Sequence, residues 1–347
     1  MNTGGKRKAR TRARAILAIC LVSLLLVLAL VSAIGALNRD LYSAGGFVRQ
    51  YLDALARKDT VGALALDGVV PTNAELEGAG LPQDLPETLL RSSVLGTLDD
   101  ISLVSDTETS PGMHAVVYSF TVDGDESTMT FSVQSAGTFA GVFDNWSFSS
   151  SPLAVLQVTV MHAATFTVND LTLDTRALDS ADEPATFSNQ AAYLAFAPAK
   201  YTLAHESTML GSEQVVTTLT KAGPEDVTVV AQPNANMITQ VQAELDKYLD
   251  ECATQQVLQP SNCPFGIEIN DRVKDLPTWS IVDYPPVSLT AGETTFDMVT
   301  TPGVANVTVT VQSLFDGDIS TTDENVDFQV GLSVIINPDG SLAIQLH

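Results

Sequence analysis

The strongest structural signal in the chain is the stretch VDFQVGLSVIINPDGSLAIQL, residues 326–346. Apolar side chains fill alternate positions from Val326 to Ile336, and the alternation resumes from Leu342 to Leu346. Successive side chains of a strand point to opposite faces, so this pattern predicts two half-buried strands. Residues 337–340, NPDG, are typical of a turn. The stretch therefore predicts an antiparallel hairpin.

A helix is predicted before this hairpin, within a segment that we bound at 234–347. The residues that share one helical face are Ile238, Val241, Leu245, Leu249 and Cys252. Strands follow around TWSIVDY, residues 278–284, and VTVTV, residues 307–311. This segment is therefore expected to be an α+β domain.

Cys252 and Cys263 are expected to form a disulfide in this segment. Ten residues separate them, and Cys20 is the one other cysteine in the chain. Two cysteines in an exported domain favour one bridge. A metal or redox pair is disfavoured, since there is no C-x-x-C spacing and no histidine nearby.

Two further segments precede the segment at 234–347. Residues 153–231 carry short strand-like runs, among them LAVLQVTV and VVTTL, which predict a small β domain of sandwich type. Residues 43–150 open with a helix whose apolar face is Phe47, Tyr51, Leu52 and Leu55, and Asp59 or Thr60 is expected to cap a second short helix. Strands follow, joined by a tight turn at Asp123-Gly124.

Residues 15–37 form a run of 23 residues without a charge. As a helix this run would be about 34 Å long, slightly more than the hydrocarbon core of a bilayer. Residues 1–14 form a basic tail without acids, and its cations are Lys6, Arg7, Lys8, Arg10, Arg12 and Arg14. The positive-inside rule then predicts a single-pass transmembrane helix with a cytoplasmic tail and an extracytoplasmic body. A cleaved signal peptide is the alternative, but its apolar region is usually only about 7–15 residues long.

The charged residues are also distributed unevenly between the basic tail and the rest of the chain. The chain has 17 basic and 41 acidic residues, a net charge of −24. Six of the basic residues lie in the tail, which leaves 11 basic against 41 acidic residues beyond it, a net of −30. Nucleic acid is excluded as a partner because its recognition needs clustered lysine and arginine. The expected partners are the lipid bilayer, through residues 15–37, and an envelope protein or wall component.

No catalytic, cofactor-binding or metal-binding residue is predicted. His205-Glu206-Ser207 places nucleophile, base and acid types side by side, but strand neighbours point to opposite faces, which disfavours a triad. Residues 316–327, DGDISTTDENVD, alternate oxygen ligands as a calcium loop would, but Thr321 replaces the glycine such a loop needs and Asp327 replaces its glutamate. A solvated acidic turn is therefore the favoured interpretation. His114 and Tyr118 could line a pocket in the first segment, although a filled core is the favoured interpretation.

The sequence YLDALARKDTVGALAL, residues 51–66, followed by a sheet, resembles the cone-shaped domains like nuclear transport factor 2 and ketosteroid isomerase. The whole layout resembles uncharacterised membrane-anchored envelope proteins of actinobacteria, through FAPAKYTL, LDECATQQVLQPSNCPFG and TWSIVDYPPVSL. It also resembles the teicoplanin-resistance-associated membrane proteins. Those carry a cytoplasmic zinc ribbon, whereas this tail has no cysteine before Cys20. The resemblance implies an envelope role and names no active residue.

The predicted fold class is therefore α+β: one N-terminal transmembrane helix, then helix-plus-antiparallel-sheet modules that flank a small all-β domain. The function expected is a membrane-anchored, non-catalytic binding or scaffold protein of the envelope. The alternatives are a ligand-binding or hydrolytic module in the cone-like segment, and a secreted, cation-dependent adhesion protein.

Overall fold

The computed structural model describes residues 5–139, 143–178, 187–337 and 339–347. Parts of three predictions lie outside these residues: the first four positions of the basic tail, residues 179–186 of the β segment, and position 338 of the NPDG turn. Within the described ranges the helices are α1 (Gly5–Asp40), α2 (Ala44–Ala56), α3 (Thr60–Leu64), α4 (Asn73–Gly78) and α5 (Ala235–Ala253).

The strands of the described residues are, in chain order, β1 (Leu98–Ser110), β2 (Met113–Val122), β3 (Asp125–Phe139), β4 (Phe143–Phe148), β5 (Ala154–Met161), β6 (Thr165–Val168), β7 (Leu171–Asp174), β8 (Ser188–Ala195), β9 (Ala199–Ala204), β10 (Leu210–Gly211), β11 (Val215–Leu219), β12 (Gly223–Val230), β13 (Gln232–Pro233), β14 (Arg272–Val273), β15 (Thr278–Asp283), β16 (Thr290–Ala291), β17 (Phe296–Gln312), β18 (Ile319–Ile336) and β19 (Leu342–Leu346). Most pairs are antiparallel, and one long apolar helix precedes them. The α+β fold class is confirmed.

The first sheet has the order β1-β2-β3-β4, and α2 packs on it. The α2 residue Tyr51 is fully buried, and its ring lies edge-on to Phe131 and Phe148 at centroid distances of 6.2 and 5.5 Å. The predicted turn between β2 and β3 is confirmed, because Asp123 and Gly124 have φ angles of 47° and 90°. Two consecutive positive φ angles are what a type I′ hairpin turn requires.

Two short helices follow α2. The Asp59 side chain accepts a hydrogen bond from Gly62 N at 2.9 Å, which confirms the predicted cap of α3. The helix α4 was not predicted, although its capping box is visible in the sequence. Thr72 accepts from Glu75 N, and the Glu75 carboxylate accepts from Thr72 N and from Ser151 N.

The middle of the chain forms two sheets, of order β12-β5-β8 and β11-β9-β6-β7. The β5–β12 pair is parallel. A first hydrophobic cluster contains buried residues from Ala44 to Val229, so the first two predicted segments share one core. Tyr51 joins them directly, since its hydroxyl donates to Ala197 O at 2.9 Å. The boundary between these two segments as separate domains stays a prediction.

The last part of the chain packs α5 on a six-stranded sheet of order β14-β17-β18-β19, with β15 and β16 also paired to β17. Their buried residues, together with Leu210 and Ala231, form a second hydrophobic cluster. The β18–β19 hairpin is confirmed, with Leu332 opposite Leu346 and Ile336 opposite Leu342. β18 begins at Ile319, seven residues before the predicted alternation, because β17 pairs with it along that whole length.

Candidate functional site

The apolar part of α1 has its side chains described from Cys20 to Asn38, and it is long and apolar enough to cross a membrane. None of this span is buried in the protein, and its mean hydropathy is 2.8. A core helix of a water-soluble protein would bury such a face. The exposed surface therefore indicates a membrane anchor or a signal sequence. The basic residues of the predicted topology signal, from Lys6 to Arg14, belong to the N-terminal part of the same helix.

Cys252 and Cys263 form a disulfide, with their Cα atoms 5.8 Å apart. Cys252 ends the apolar face of α5, is 2% exposed and belongs to the second hydrophobic cluster. The predicted helical face explains this, because Val241, Leu245 and Leu249 are buried on the same side. The disulfide therefore ties the closed loop, residues 253–262, to the core.

Side-chain hydrogen bonds fix this disulfide loop to its surroundings. The Tyr248 hydroxyl of α5 donates to the Asn262 carbonyl. Trp279 of β15 donates its indole N–H to the Val257 carbonyl at 2.8 Å, and its ring packs on Phe265 at 5.0 Å. The loop is thus held at both the helix and the sheet.

A groove of about 550 Å³ lies between α5 and β19. On the helix side it is lined by Gln240, Ala243, Glu244, Leu245 and Tyr248. On the sheet side it is lined by Gly340, Ser341, Leu342, Ile344 and Leu346. Tyr248 is shared between the groove wall and the disulfide loop, so the two features form one site.

The edge of the sheet runs along this groove. Gly331 and His347 exchange two backbone hydrogen bonds, at 3.1 and 2.9 Å. These bonds show which residues of β18 and β19 form hydrogen-bonded pairs. In an antiparallel pair, only alternate residues direct their N–H and C=O groups at the partner strand. The backbone groups of Leu342, Ile344 and Leu346 therefore point away from β18. Among the described strands, β19 pairs with β18 alone.

This groove does not follow from the sequence pattern. Its apolar lining residues are Ala, Leu, Ile and Tyr positions that are typical of a core, and residues 254–341 separate α5 from β19 in the chain. The one available signal was in β19 itself. Its sequence LAIQL has no charge and no proline, the usual devices that protect an edge strand.

His114 and Tyr118, the residues of the alternative pocket, have structural partners. Tyr118 is 4% exposed, and its hydroxyl donates to Gly45 O at 2.9 Å. Burial raises its pKa, so the hydroxyl stays protonated. His114 lies 2.6 Å from Asp106 and edge-on to Trp146 at 4.9 Å. Tyr118 therefore ties the sheet to α2, and His114 contacts its neighbours within the sheet.

The side chains of His205 and Ser207 contact each other, which the sequence pattern did not predict. His205 Nε2 lies 3.2 Å from Ser207 Oγ, and His205 Nδ1 lies 2.7 Å from Thr165 O. The serine hydroxyl also accepts from Leu210 N at 3.0 Å and lies 3.2 Å from Leu210 O. Glu206 is exposed, and its backbone bridges to Gly211. The arrangement closes the tight turn before β10.

The residues of the possible calcium loop do not form a loop. Residues 319–327 belong to β18 and pair with residues 304–312 of β17. Neighbouring side chains of a strand point to opposite faces, so the adjacent carboxylates of Asp323 and Glu324 do not converge on one ion. In the described part of the chain, no group of three or more histidine, cysteine, aspartate or glutamate side chains is placed to hold a metal.

Searches of protein-family models, curated proteins and solved structures found no match for this chain.

Proposed function

We propose that this protein is a single-pass envelope protein whose extracytoplasmic body has a non-catalytic binding or scaffold role. The exposed apolar span of α1 is the observation that carries the proposal. Burying about 19 exposed apolar and small residues in lipid removes a surface that water solvates poorly.

The charge distribution supports the orientation. Six cations precede the apolar span, and the remaining chain carries a net charge of −30. Basic residues beside a membrane helix stay on the cytoplasmic side. The proposed arrangement therefore has residues 1–14 in the cytoplasm and residues 40–347 outside.

The disulfide supports the same compartment. Bridges of this kind persist in oxidising environments and are rare in the cytosol. The Cys252–Cys263 bridge closes a loop that three hydrogen-bonded side chains hold in place, Tyr248, Gln255 and Trp279. This loop is a structural feature, and its stability fits an extracytoplasmic body.

We also propose that α2 with β1–β4 belongs to the cone-shaped class that the opening of this segment resembles. A helix packed on a four-stranded antiparallel sheet is consistent with it. In this module, Tyr51 and Tyr118 fill the space between helix and sheet. The proposed role of the module is therefore mechanical support, with the interaction surface placed elsewhere on the body.

The experiment is alkaline extraction of membranes, combined with protease treatment of intact cells. The proposal expects the chain to stay with the membrane pellet, residues beyond 40 to be cut, and residues 1–14 to be protected. Release of the chain at alkaline pH would overturn the anchor. Cutting of the basic tail with protection of the body would overturn the orientation.

A further inference from the structure

The edge strand β19 is an open position for another strand. Leu342, Ile344 and Leu346 direct three N–H and three C=O groups away from β18, and no described strand pairs with them. The edge strand β1 of the first sheet, by contrast, carries the charged residues Asp99, Asp100, Asp106 and Glu108. β19 has neither charge nor proline, so nothing in its sequence opposes strand addition.

The groove beside this edge suits the side chains of an added strand. The side chains of Leu342, Ile344 and Leu346 are half-buried and belong to the rim of the second hydrophobic cluster. They form an apolar floor, and α5 forms a wall. A strand that paired with β19 would point every second side chain toward this groove of about 550 Å³ and the others away from it. Backbone pairing supplies affinity in this recognition mode, and side-chain pockets supply selectivity.

The charges around the groove determine the kind of strand. Glu244 is the acidic residue of the groove lining, its side chain is 62% exposed, and the Lys247 ammonium lies 4.0 Å from its carboxylate on the exposed side of α5. At the turn end, Asp339 accepts hydrogen bonds from Ser341 N and Oγ at 2.9 and 2.7 Å. These bonds hold the pKa of Asp339 below its usual value, so the carboxylate is charged. A basic strand complements these groups.

A second copy of this chain fits the edge less well. Two copies would bring together bodies that each carry a net charge of −30, and each would place Glu244 beside the shared edge. Like charges that meet at an interface oppose association. The short length of β19, five residues, offers few hydrogen bonds to offset that repulsion.

We propose that the edge of β19 and the groove beside α5 bind an extended, basic polypeptide segment with alternating apolar residues, which adds to the sheet as a seventh strand. This inference rests on the proposed binding role and gives it a site and a partner class. The added strand bonds to the backbone of Leu342, Ile344 and Leu346. Its apolar side chains enter the groove, and its cations lie near Glu244 and Asp339.

The test measures peptide binding to the full chain purified in detergent micelles. The probe is a fluorescent eight-residue peptide of alternating lysine and valine, capped at both ends, and fluorescence anisotropy gives its Kd. Peptides of alternating glutamate and valine control for charge. Two further peptides carry N-methyl groups on every lysine or on every valine nitrogen. A paired strand uses only one of these two sets of N–H groups, so one methylated peptide should bind at least about tenfold more weakly than the other.

Matched charge reversals place the site. Glu244→Lys should weaken binding of the lysine–valine peptide by about five- to tenfold at low salt, since it replaces an attraction with a repulsion. Glu324→Lys makes the same charge change on the exposed side of β18, beyond the residues that pair with β19, and should change Kd by less than about twofold. Thermal unfolding of both variants checks that the fold is intact.

Three results would overturn the proposal: equal binding of the glutamate–valine peptide, equal binding of both N-methylated peptides, or equal effects of the two charge reversals. Concentration-dependent dimers that prevent peptide binding would assign the edge to a second copy and would also overturn the proposal. Failure here is separable from failure of the anchor, because purified chain is used. A chain that stays in membranes but binds no peptide refutes only the groove, and a cleaved chain that binds peptide refutes only the anchor.

Discussion

Removing the Cys252–Cys263 disulfide should destabilise the part of the body built around α5. The bridge joins cysteines eleven positions apart in the sequence, and the chain-entropy model gives about 3 kcal/mol for a loop of this size. Cys252 also packs in the second hydrophobic cluster at 2% exposure, so freeing it loosens the end of α5. A loss of about 3 kcal/mol in a domain of this size lowers the Tm by roughly 10 °C.

The assay is thermal unfolding followed by tryptophan fluorescence. Trp279 donates to Val257 O inside the disulfide loop, so its emission reports on this region. A Trp146→Phe background leaves Trp279 as the single indole in the chain. The double variant Cys252→Ala with Cys263→Ala is compared with its parent, and Cys20→Ser is the matched control.

The control separates the bridge from general effects of removing sulfur. Cys20 is an exposed free cysteine on α1, so its replacement should leave the Tm unchanged. Reduction of the parent should reproduce the Tm of the double variant. A fall of less than about 2 °C, or free thiols at both positions in native protein, would refute the reasoning, because the loop entropy would then not be stabilising the fold.

Three other substitutions test local contacts in and around the first hydrophobic cluster by urea unfolding. Burial raises the pKa of Glu75, but hydrogen bonds from Thr72 and Ser151 outweigh it and hold the pKa below its usual value. A carboxylate with a lowered folded pKa stabilises above its unfolded pKa and loses this as the pH falls through its folded pKa. Because Glu75 is exposed and water screens its charge, Glu75→Gln should cost only about 0.5 kcal/mol at pH 7 and less at pH 3; a difference that does not change with pH would contradict this. Tyr51→Phe leaves the buried Ala197 carbonyl without its donor and should cost about 1–2 kcal/mol, whereas an unchanged urea midpoint would show the bond is not stabilising. Gly68→Ala places a Cβ 2.3 Å from a backbone oxygen at a φ of +82° and should cost more than about 1 kcal/mol; a neutral result would contradict the local geometry.

Periodicity predicted the long elements well because their burial is one-sided. The alternation of β18 with β19 and the helical face of α5 both follow from a single apolar side packed on a core. The Asp123-Gly124 turn was equally readable, since few residues adopt two positive φ angles in succession.

Elements defined by distant partners could not be predicted in this way. The parallel pairing of β5 with β12 joins strands about 60 residues apart and leaves no local pattern. The first half of β18 was interpreted as an acidic loop, because its solvent-facing residues hide the pairing with β17. α4 was missed despite its Thr72–Glu75 capping box, since its short apolar pattern falls in a stretch rich in glycine and proline.

The candidate site was the least predictable part. Its groove depends on how α5 crosses the edge of the sheet, and on which N–H groups of β19 face outward. Neither follows from the residue types of LAIQL alone. The anchor, in contrast, is local: an uncharged run of 23 residues needs no tertiary partner to be recognised.

The most direct test of the account is peptide mass spectrometry of the chain isolated from washed membranes. An anchored protein retains α1, so the account predicts fragments from the basic tail, residues 1–14, together with fragments from the body. Body fragments whose first residue lies near position 35, with tail fragments absent and the protein recovered from the medium, would contradict the anchor on which the proposed function depends.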